Sequence, residues 1–108
     1  MSLRDKLKER VNQDALALEI REWDEIIYVK PLTCGEMSKL QKRHPDFLSK
    51  MSVEGMVDLI IMKCLDKDGD PAFTLEDKPL LLREKVNVIT AITSEIIGSS
   101  LSEDYEKN

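Results

Sequence analysis

The sequence predicts an α+β fold that is mainly α: a small helical bundle with one N-terminal β-hairpin packed against it. Apolar residues recur every three or four positions in most of the chain, which is helical spacing. Residues 15–31 instead alternate between apolar and polar, as strands do. The length of 108 residues, with 42% hydrophobic and 34% charged side chains, suits a single hydrophobic core.

The chain begins with a charged amphipathic segment, residues 1–14. Leu3, Leu7 and Val11 lie four residues apart with charged residues between them, so they form one narrow apolar stripe on a helix. A stripe this narrow gives a helix little stability of its own, and the helix must dock on something. The sequence leaves open whether it docks on its own domain or on a neighbouring subunit.

Residues 15–31 predict the hairpin. Apolar residues alternate up to Ile20, and a second alternating run, rich in β-branched and aromatic residues, ends at Pro31, which cannot donate to a sheet. Trp23 lies between the two runs, at the predicted turn. A lone hairpin is marginal in water, so it must pack on the helices or pair with another strand.

The remaining elements are four helices, predicted at about 34–44, 53–65, 75–83 and 84–98. Thr33 and Glu36 form a capping box at the start of the first, and Pro45 ends it. The second is apolar on nearly every side and is therefore predicted to be the buried central helix. Pro79 implies that the third helix either begins at Lys78 or bends.

The C-terminal end of the fold is predicted from composition. Gly98 suits the left-handed position just past a helix end, and residues 99–108 form a polar, acidic tail that we expect to be flexible. The chain has no repeat and no linker. Residues 15–98 are therefore predicted to form one globular domain.

Charge and hydropathy exclude two classes of partner. The net charge is −5, so there is no basic excess to displace counterions from nucleic acid. No apolar run approaches the roughly 20 residues that span a bilayer, and the N-terminus does not read as a signal sequence. We expect a cytoplasmic protein with no nucleic-acid or membrane partner.

Catalytic chemistry has little support in the sequence. The chain has one histidine, His44, and lacks a phosphate loop, a dinucleotide fingerprint and a zinc motif, so we predict no catalytic residue and no cofactor. Cys34 and Cys64 are simplest to interpret as two separate thiols, although the sequence alone leaves a disulfide open. The protein is predicted not to be an enzyme.

One acidic segment resembles a calcium-binding loop. Asp66, Asp68 and Asp70 occupy the first, third and fifth positions of an EF-hand, but the sixth position, which requires glycine, holds Pro71. The twelfth residue is Asp77, which is shorter than the usual glutamate. These three aspartates are weak metal candidates. A calcium-responsive binding module that uses residues 66–77 stays an alternative function.

The order of elements and two motifs carry a family resemblance. Trp23 stands in REWDEIIYVKPLT, and a later connection has the sequence CLDKDGDPAFTLED. Over roughly residues 15–98 the chain resembles the phage tail assembly chaperones, which are encoded beside the tail genes of long-tailed phages and prophages. Members of that family often have glycine after the tryptophan, whereas this chain has Asp24.

The resemblance implies a function through protein–protein contact. Such a protein binds the tape measure protein and keeps it soluble until tail tube protein polymerises around it. It works in the host cytoplasm, forms homo-oligomers and is absent from the finished virion. A small prophage regulator with one fixed protein partner is a further alternative.

Candidate contact residues follow from the exposed stripe and the hairpin. An apolar side chain at either place could bind a second subunit or a client protein. The candidates are Leu3, Leu7, Val11, Trp23, Ile27 and Tyr28.

Overall fold

The computed structural model describes residues 2–11 and 15–100. They confirm the predicted fold class: helices dominate, and a small antiparallel sheet packs against them. The helices are α1 (Leu3–Val11), α2 (Cys34–Arg43), α3 (Phe47–Lys50), α4 (Val53–Lys63), α5 (Lys78–Leu81) and α6 (Val86–Ser100). The strands are β1 (Leu16–Ile20), β2 (Glu25–Val29) and β3 (Cys64–Leu65).

The hairpin pairs β1 with β2 in antiparallel register, with Leu18 opposite Ile27. A single 3₁₀ turn, Arg21–Trp23, joins the two strands. Asp24 completes the turn in the left-handed conformation, at φ 52° and ψ 44°. Asp is one of the few side chains that tolerate this region, because its short polar group can interact locally with the backbone.

The sheet has a third strand that the sequence interpretation placed in a helix. The helix predicted at 53–65 ends at Lys63, and Cys64 is extended and pairs with Val29 of β2. The described sheet therefore has the order β1-β2-β3. Two residues are too short to show a strand period, and an apolar pair after an apolar helix reads as more helix.

The core lies between α4, α6 and the inner face of the sheet. Its fully buried side chains include Phe47, which belongs to the short α3 that the sequence analysis did not identify. Gly55 makes this packing possible, because a Cβ there would lie 2.5 Å from Phe47 Cδ1. Other fully buried members of the core are Val29, Leu40, Val57, Leu59, Ile60, Ile92 and Ile96.

The helix predicted at 75–83 is divided in two. A 3₁₀ turn, Leu75–Asp77, comes first, and α5 begins at Lys78. Pro79 lies in the first turn of α5, where a missing N–H breaks no helical hydrogen bond. Of the two possibilities that Pro79 left open, the later start is the one observed.

The last helix is shifted relative to its predicted range of 84–98. It begins at Val86 and continues to Ser100, so Gly98 lies inside α6 and does not cap it. Gly69 is the only glycine with a positive φ among the described residues, which contradicts the left-handed role predicted for Gly98. Glycine permits that conformation but does not require it. The predicted tail beyond residue 100, and residues 12–14, lie outside the described residues.

None of the helices in the described ranges is both long and apolar enough to cross a membrane.

Candidate functional site

The apolar stripe of α1 is open to solvent. Leu3 and Leu7 are 75% and 57% exposed. The helix makes no extensive contact with any other described element, and its first turn is held locally by hydrogen bonds between Ser2 and Asp5. Within residues 2–11 and 15–100, the stripe is thus not docked on its own domain. The side chain of Val11 lies outside what the structure describes.

The hairpin candidates lie on different faces of the sheet. Ile27 faces the core with only 6% exposure, although it also contributes to the lining of the groove described next. Its neighbour Ile26 lies on the outer face with Tyr28 and is 52% exposed. Successive strand residues point to opposite faces, and the Ile-Ile pair hides which face is buried.

An open groove of about 1100 Å³ lies at the turn end of the hairpin. It is bounded by β2, the loop at 66–73, and α5 with the residues that follow it. Its apolar lining includes Trp23, Ile26, Ile27, Phe73 and Leu80. Leu80 is 63% exposed, so the groove presents apolar surface to solvent at its edge. Tyr28 also contributes to the lining.

Two contacts of Trp23 fix the shape of this groove. Its ring packs edge-on against Phe73, with ring centroids 5.9 Å apart and an interplanar angle of 73°. Its indole Nε1 donates a hydrogen bond of 2.7 Å to Glu84 Oε2. That bond, with a second from the Lys85 backbone N–H, lowers the pKa of Glu84. Glu84 is therefore a carboxylate at neutral pH and holds the hairpin turn against the segment after α5.

The groove carries an excess of negative charge. Glu84 is used by Trp23, and Asp66 is used by the loop backbone. The other acidic side chains of the lining have no hydrogen-bond or ionic partner among the described residues. Of the described residues that line the groove, the acidic ones are Glu19, Asp24, Glu25, Asp66 and Glu84, and the basic ones are Lys67 and Arg83.

The weak metal candidates are arranged as a tight turn. Asp66 Oδ1 accepts hydrogen bonds from the backbone N–H groups of Asp68, at 2.8 Å, and Asp70, at 3.0 Å. Gly69 takes the left-handed conformation between them, at φ 85°. Asp77 accepts a bond from the Thr74 backbone and so caps the turn before α5. In the described ranges, no three His, Cys, Asp or Glu side chains are grouped as a metal site.

A buried polar cluster centres on Asp58 of α4, whose side chain is 5% exposed. Its Oδ2 accepts a hydrogen bond of 2.6 Å from His44 Nε2, at the end of α2. Its Oδ1 forms an ion pair with Lys78 Nζ of α5 at 3.1 Å, although the angle is not that of a hydrogen bond. Burial alone raises the pKa of Asp58, but these two partners lower it by more, and the net shift is downward.

A second buried charge is paired in the same way. Lys63 is 7% exposed and donates to both carboxylate oxygens of Glu36, at 2.8 and 2.9 Å. Burial raises the pKa of Glu36, but the bonds from Lys63 and Thr33 outweigh it and lower that pKa. The two clusters tie α2 and α5 to α4. No residue of either cluster lines the groove. The His44–Asp58 pair is therefore placed to hold the helices together.

The two cysteines are free and have different environments. Cys34 is exposed at the start of α2, whereas Cys64 is buried in β3. Burial raises the pKa of the Cys64 thiol to about 12, so it is not a thiolate at neutral pH. The structure therefore gives two unlinked thiols.

Of the residues that line the groove, the sequence singled out Trp23, Ile27 and Tyr28 but not Ile26, Phe73 and Leu80. The run of three leucines that starts at Leu80, just after Pro79, was the available signal. The short α5 and its C-cap residue, Leu82, cannot bury three consecutive leucines, because successive helical residues point in different directions around the axis. Only the tertiary structure shows which of these leucines is buried and which is exposed.

Comparison with solved structures finds the same fold in a protein described as the bacteriophage HK97 tail assembly chaperone. The TM-score is 0.58, and the match covers 89% of this chain and 94% of that chain. The two sequences are 13% identical, so the likeness is one of fold. No protein-family model matches the sequence, and no curated protein is significantly similar to it.

Proposed function

We propose that this protein is a phage tail assembly chaperone that acts by binding other proteins and has no catalytic role. It binds the tape measure protein and keeps it soluble until tail tube protein assembles around it. It does so in the host cytoplasm and is absent from the virion. The fold shared with the HK97 tail assembly chaperone is the observation that carries this proposal.

The distribution of surface supports a binding role. A chaperone needs apolar surface that a client can reach, and a net charge that keeps the complex in solution. Leu3, Leu7, Ile26 and Leu80 provide such surface, each more than half exposed. The net charge of −5 provides the second requirement.

The buried ionisable groups support the absence of catalysis in this proposal. Asp58 and Lys63 are occupied by partners on neighbouring helices. An acid or base in a reaction must instead reach a substrate in a cleft. The groove, which a ligand could reach, is lined by none of these groups.

Co-expression with the tape measure protein of the same phage tests the proposal. We expect the tape measure protein to be insoluble alone, and to be soluble and co-purified when the full chain is present. Deleting residues 1–13 is expected to weaken oligomerisation or client capture while the helical circular dichroism of the domain remains.

The matched control for the deletion is a chain with Arg4→Lys and Lys6→Arg, which leaves both the apolar stripe and the charge of α1 in place. A tape measure protein that stays insoluble with the full chain would refute the proposed function. Unchanged mass in light scattering and unchanged capture after the deletion would refute only the part assigned to α1.

A further inference from the structure

We propose that the groove is the client-binding site and that it binds an amphipathic helix of the client polypeptide. The apolar stripe of that helix is flanked by basic residues on one side and by acidic residues on the other. This inference rests on the proposed function, and it adds the place of binding and the chemistry of the client segment.

The inside of the groove is apolar, and part of this surface faces solvent. Trp23 and Phe73 pack against each other in it, and Ile26 and Leu80, which also line it, are 52% and 63% exposed. Exposed apolar surface gathered in one concave place is typical of a site for another polypeptide. The volume of about 1100 Å³ also exceeds the roughly 300–1,000 Å³ of small-molecule sites.

The two walls of the groove carry unpaired charges of opposite sign. The hairpin wall presents Glu19, Asp24 and Glu25, and these carboxylates have no hydrogen-bond or ionic partner in the described residues. The loop wall, formed by residues 66–73 and the segment after α5, presents Lys67 and Arg83. Both cations are likewise without an ionic partner in the part of the chain that the structure describes.

The acidic residues of the loop wall are already used by the chain itself. Asp66 accepts hydrogen bonds from the backbone of the loop, and Glu84 accepts them from the indole of Trp23 and the backbone of Lys85. The groups that this wall leaves for a ligand are therefore its two cations. A ligand that is complementary to the groove must be basic towards the hairpin wall and acidic towards the loop wall.

A helix can meet these three surfaces at once. Its side chains point in all directions around the axis, so an apolar stripe faces the inside of the groove and each flank faces one wall. The side chains of a strand point to only two opposite faces. The client segment is therefore a helix with apolar residues three or four apart, Lys or Arg on one flank and Asp or Glu on the other.

The chain's own α1 does not have this pattern of charge. In LRDKLKERV the apolar stripe has basic residues on both flanks, beginning with Arg4 on one side and Lys6 on the other. With the stripe in the groove, one of these flanks would face Lys67 and Arg83. Like charges that face each other disfavour such a contact, so charge favours a different polypeptide over α1.

Designed peptides without tryptophan test the chemistry of the ligand. All share one apolar helical stripe; the first has Lys on one flank and Glu on the other, the second Lys on both and the third Glu on both. Trp23 reports binding, because it is the only tryptophan of the chain and lines the groove. The first peptide is expected to change its emission saturably and the other two to bind about five-fold more weakly. Added salt is expected to narrow this difference.

A pair of full-length variants tests the place of binding. Leu80→Gln removes exposed apolar surface from the groove, and its matched control is Val86→Gln, at a site that is 61% exposed and is not part of the lining. Leu80→Gln is expected to bind the first peptide about ten-fold more weakly and to capture less tape measure protein. Val86→Gln is expected to match the unmodified chain. Both sites are exposed, so both variants are expected to keep the circular dichroism of the fold.

A second pair of variants tests the charge of the hairpin wall. Glu19→Gln with Glu25→Gln neutralises most of that wall. Glu76→Gln with Glu95→Gln makes the same change in net charge at exposed positions outside the lining. The first double variant is expected to lose the preference for the first peptide over the peptide with Glu on both flanks. The control double variant is expected to keep it.

Failure of this inference is distinguishable from failure of the proposed function. If the unmodified chain and Leu80→Gln captured the tape measure protein equally well, the groove would not be the client site, and only the inference would be overturned. If the unmodified chain captured no tape measure protein, the proposed function would be refuted and the inference would fall with it.

The remaining outcomes concern other occupants of the groove. Equal binding of the three peptides would overturn the pattern of charge assigned to the client helix. Tightest binding of the peptide with Lys on both flanks would assign the groove to α1 and overturn the inference. If Leu80→Gln lowered the mass in light scattering but left client capture unchanged, a second copy of the chain would occupy the groove, which would also overturn it.

Discussion

The helical side of the molecule and the groove end differ in whether their charged side chains are paired and whether their apolar side chains are buried. Around α4 the charged groups that are buried are paired, as Asp58 is with His44 and Lys78. At the groove, apolar Ile26 and Leu80 face solvent, and the acidic side chain of Glu25 has no partner in the described residues. The interactions that stabilise the fold are therefore concentrated around α4, and the surface available for contact lies at the groove.

The largest expected effect contrasts two leucines, one from each region. Leu59 is fully buried in α4, and truncating it to alanine is expected to lower the free energy of unfolding by about 3 kcal/mol. Leu80 is 63% exposed, and the same truncation is expected to change stability by no more than about 0.5 kcal/mol. Urea unfolding followed by circular dichroism measures both.

The two variants also exchange roles in binding, which sharpens the contrast. Leu80→Ala is expected to reduce capture of the tape measure protein and Leu59→Ala to leave capture unchanged in the folded fraction. Equal losses of stability in the two variants would remove the division between the regions, because the groove would then contribute to folding as the core does.

The next effect concerns the buried carboxylate of the helical side. Asp58→Asn keeps the shape of the side chain but removes its charge, and is expected to cost about 2 kcal/mol at pH 7. The pKa of Asp58 is lowered below its ordinary value of 3.8, so the ionised form stabilises the fold above that pH. The contribution is lost as the pH falls through the lowered folded value.

The stability difference between the unmodified chain and Asp58→Asn is therefore expected to shrink as the pH falls below about 4. Glu36 titrates in the same direction, but it is present in both proteins and cancels in the difference. The matched control at the groove is Glu25→Gln, which is expected to change the free energy of unfolding by no more than about 0.5 kcal/mol. A difference that grew on acidification would contradict the assigned ion pairs.

The sequence was sufficient for the class of fold because the two periods are local. Alternation around Ile20 and helical spacing through 53–63 need no tertiary information. Elements of only a few residues were not predicted correctly, because they are too short to show a period. Strand β3 has two residues, and helix α5 has four. The end of α6 was missed because Gly98 is permitted in a helix as well as beyond it.

The candidate site was harder to obtain from the sequence. The stripe of Leu3 and Leu7 is visible in the spacing, but its exposure depends on how α1 lies relative to the rest of the described chain. The groove joins Trp23 to Phe73 and Glu84, which are far apart in the chain. Contacts between residues so far apart in the chain produce no periodic pattern in the sequence. The same holds for Asp58, whose polar side chain on an apolar helix was the only hint of its pairing.

The smallest expected effect lies at the turn that supports the groove. Asp24 has φ 52°, which lies in the left-handed region that glycine adopts freely. Asp24→Gly removes the steric cost of the left-handed conformation but makes the unfolded chain more flexible. These two effects oppose each other, so the free energy of unfolding is expected to change by less than about 0.5 kcal/mol. Asp24→Val places a β-branched side chain in this region, where such side chains are unfavourable. It is expected to lower the free energy of unfolding by about 1–2 kcal/mol. Urea unfolding compares the three chains, and the emission of Trp23 reports whether the turn keeps its place. If valine were tolerated as well as glycine, the left-handed turn would not be what positions Trp23 against Phe73, and the groove would need another support.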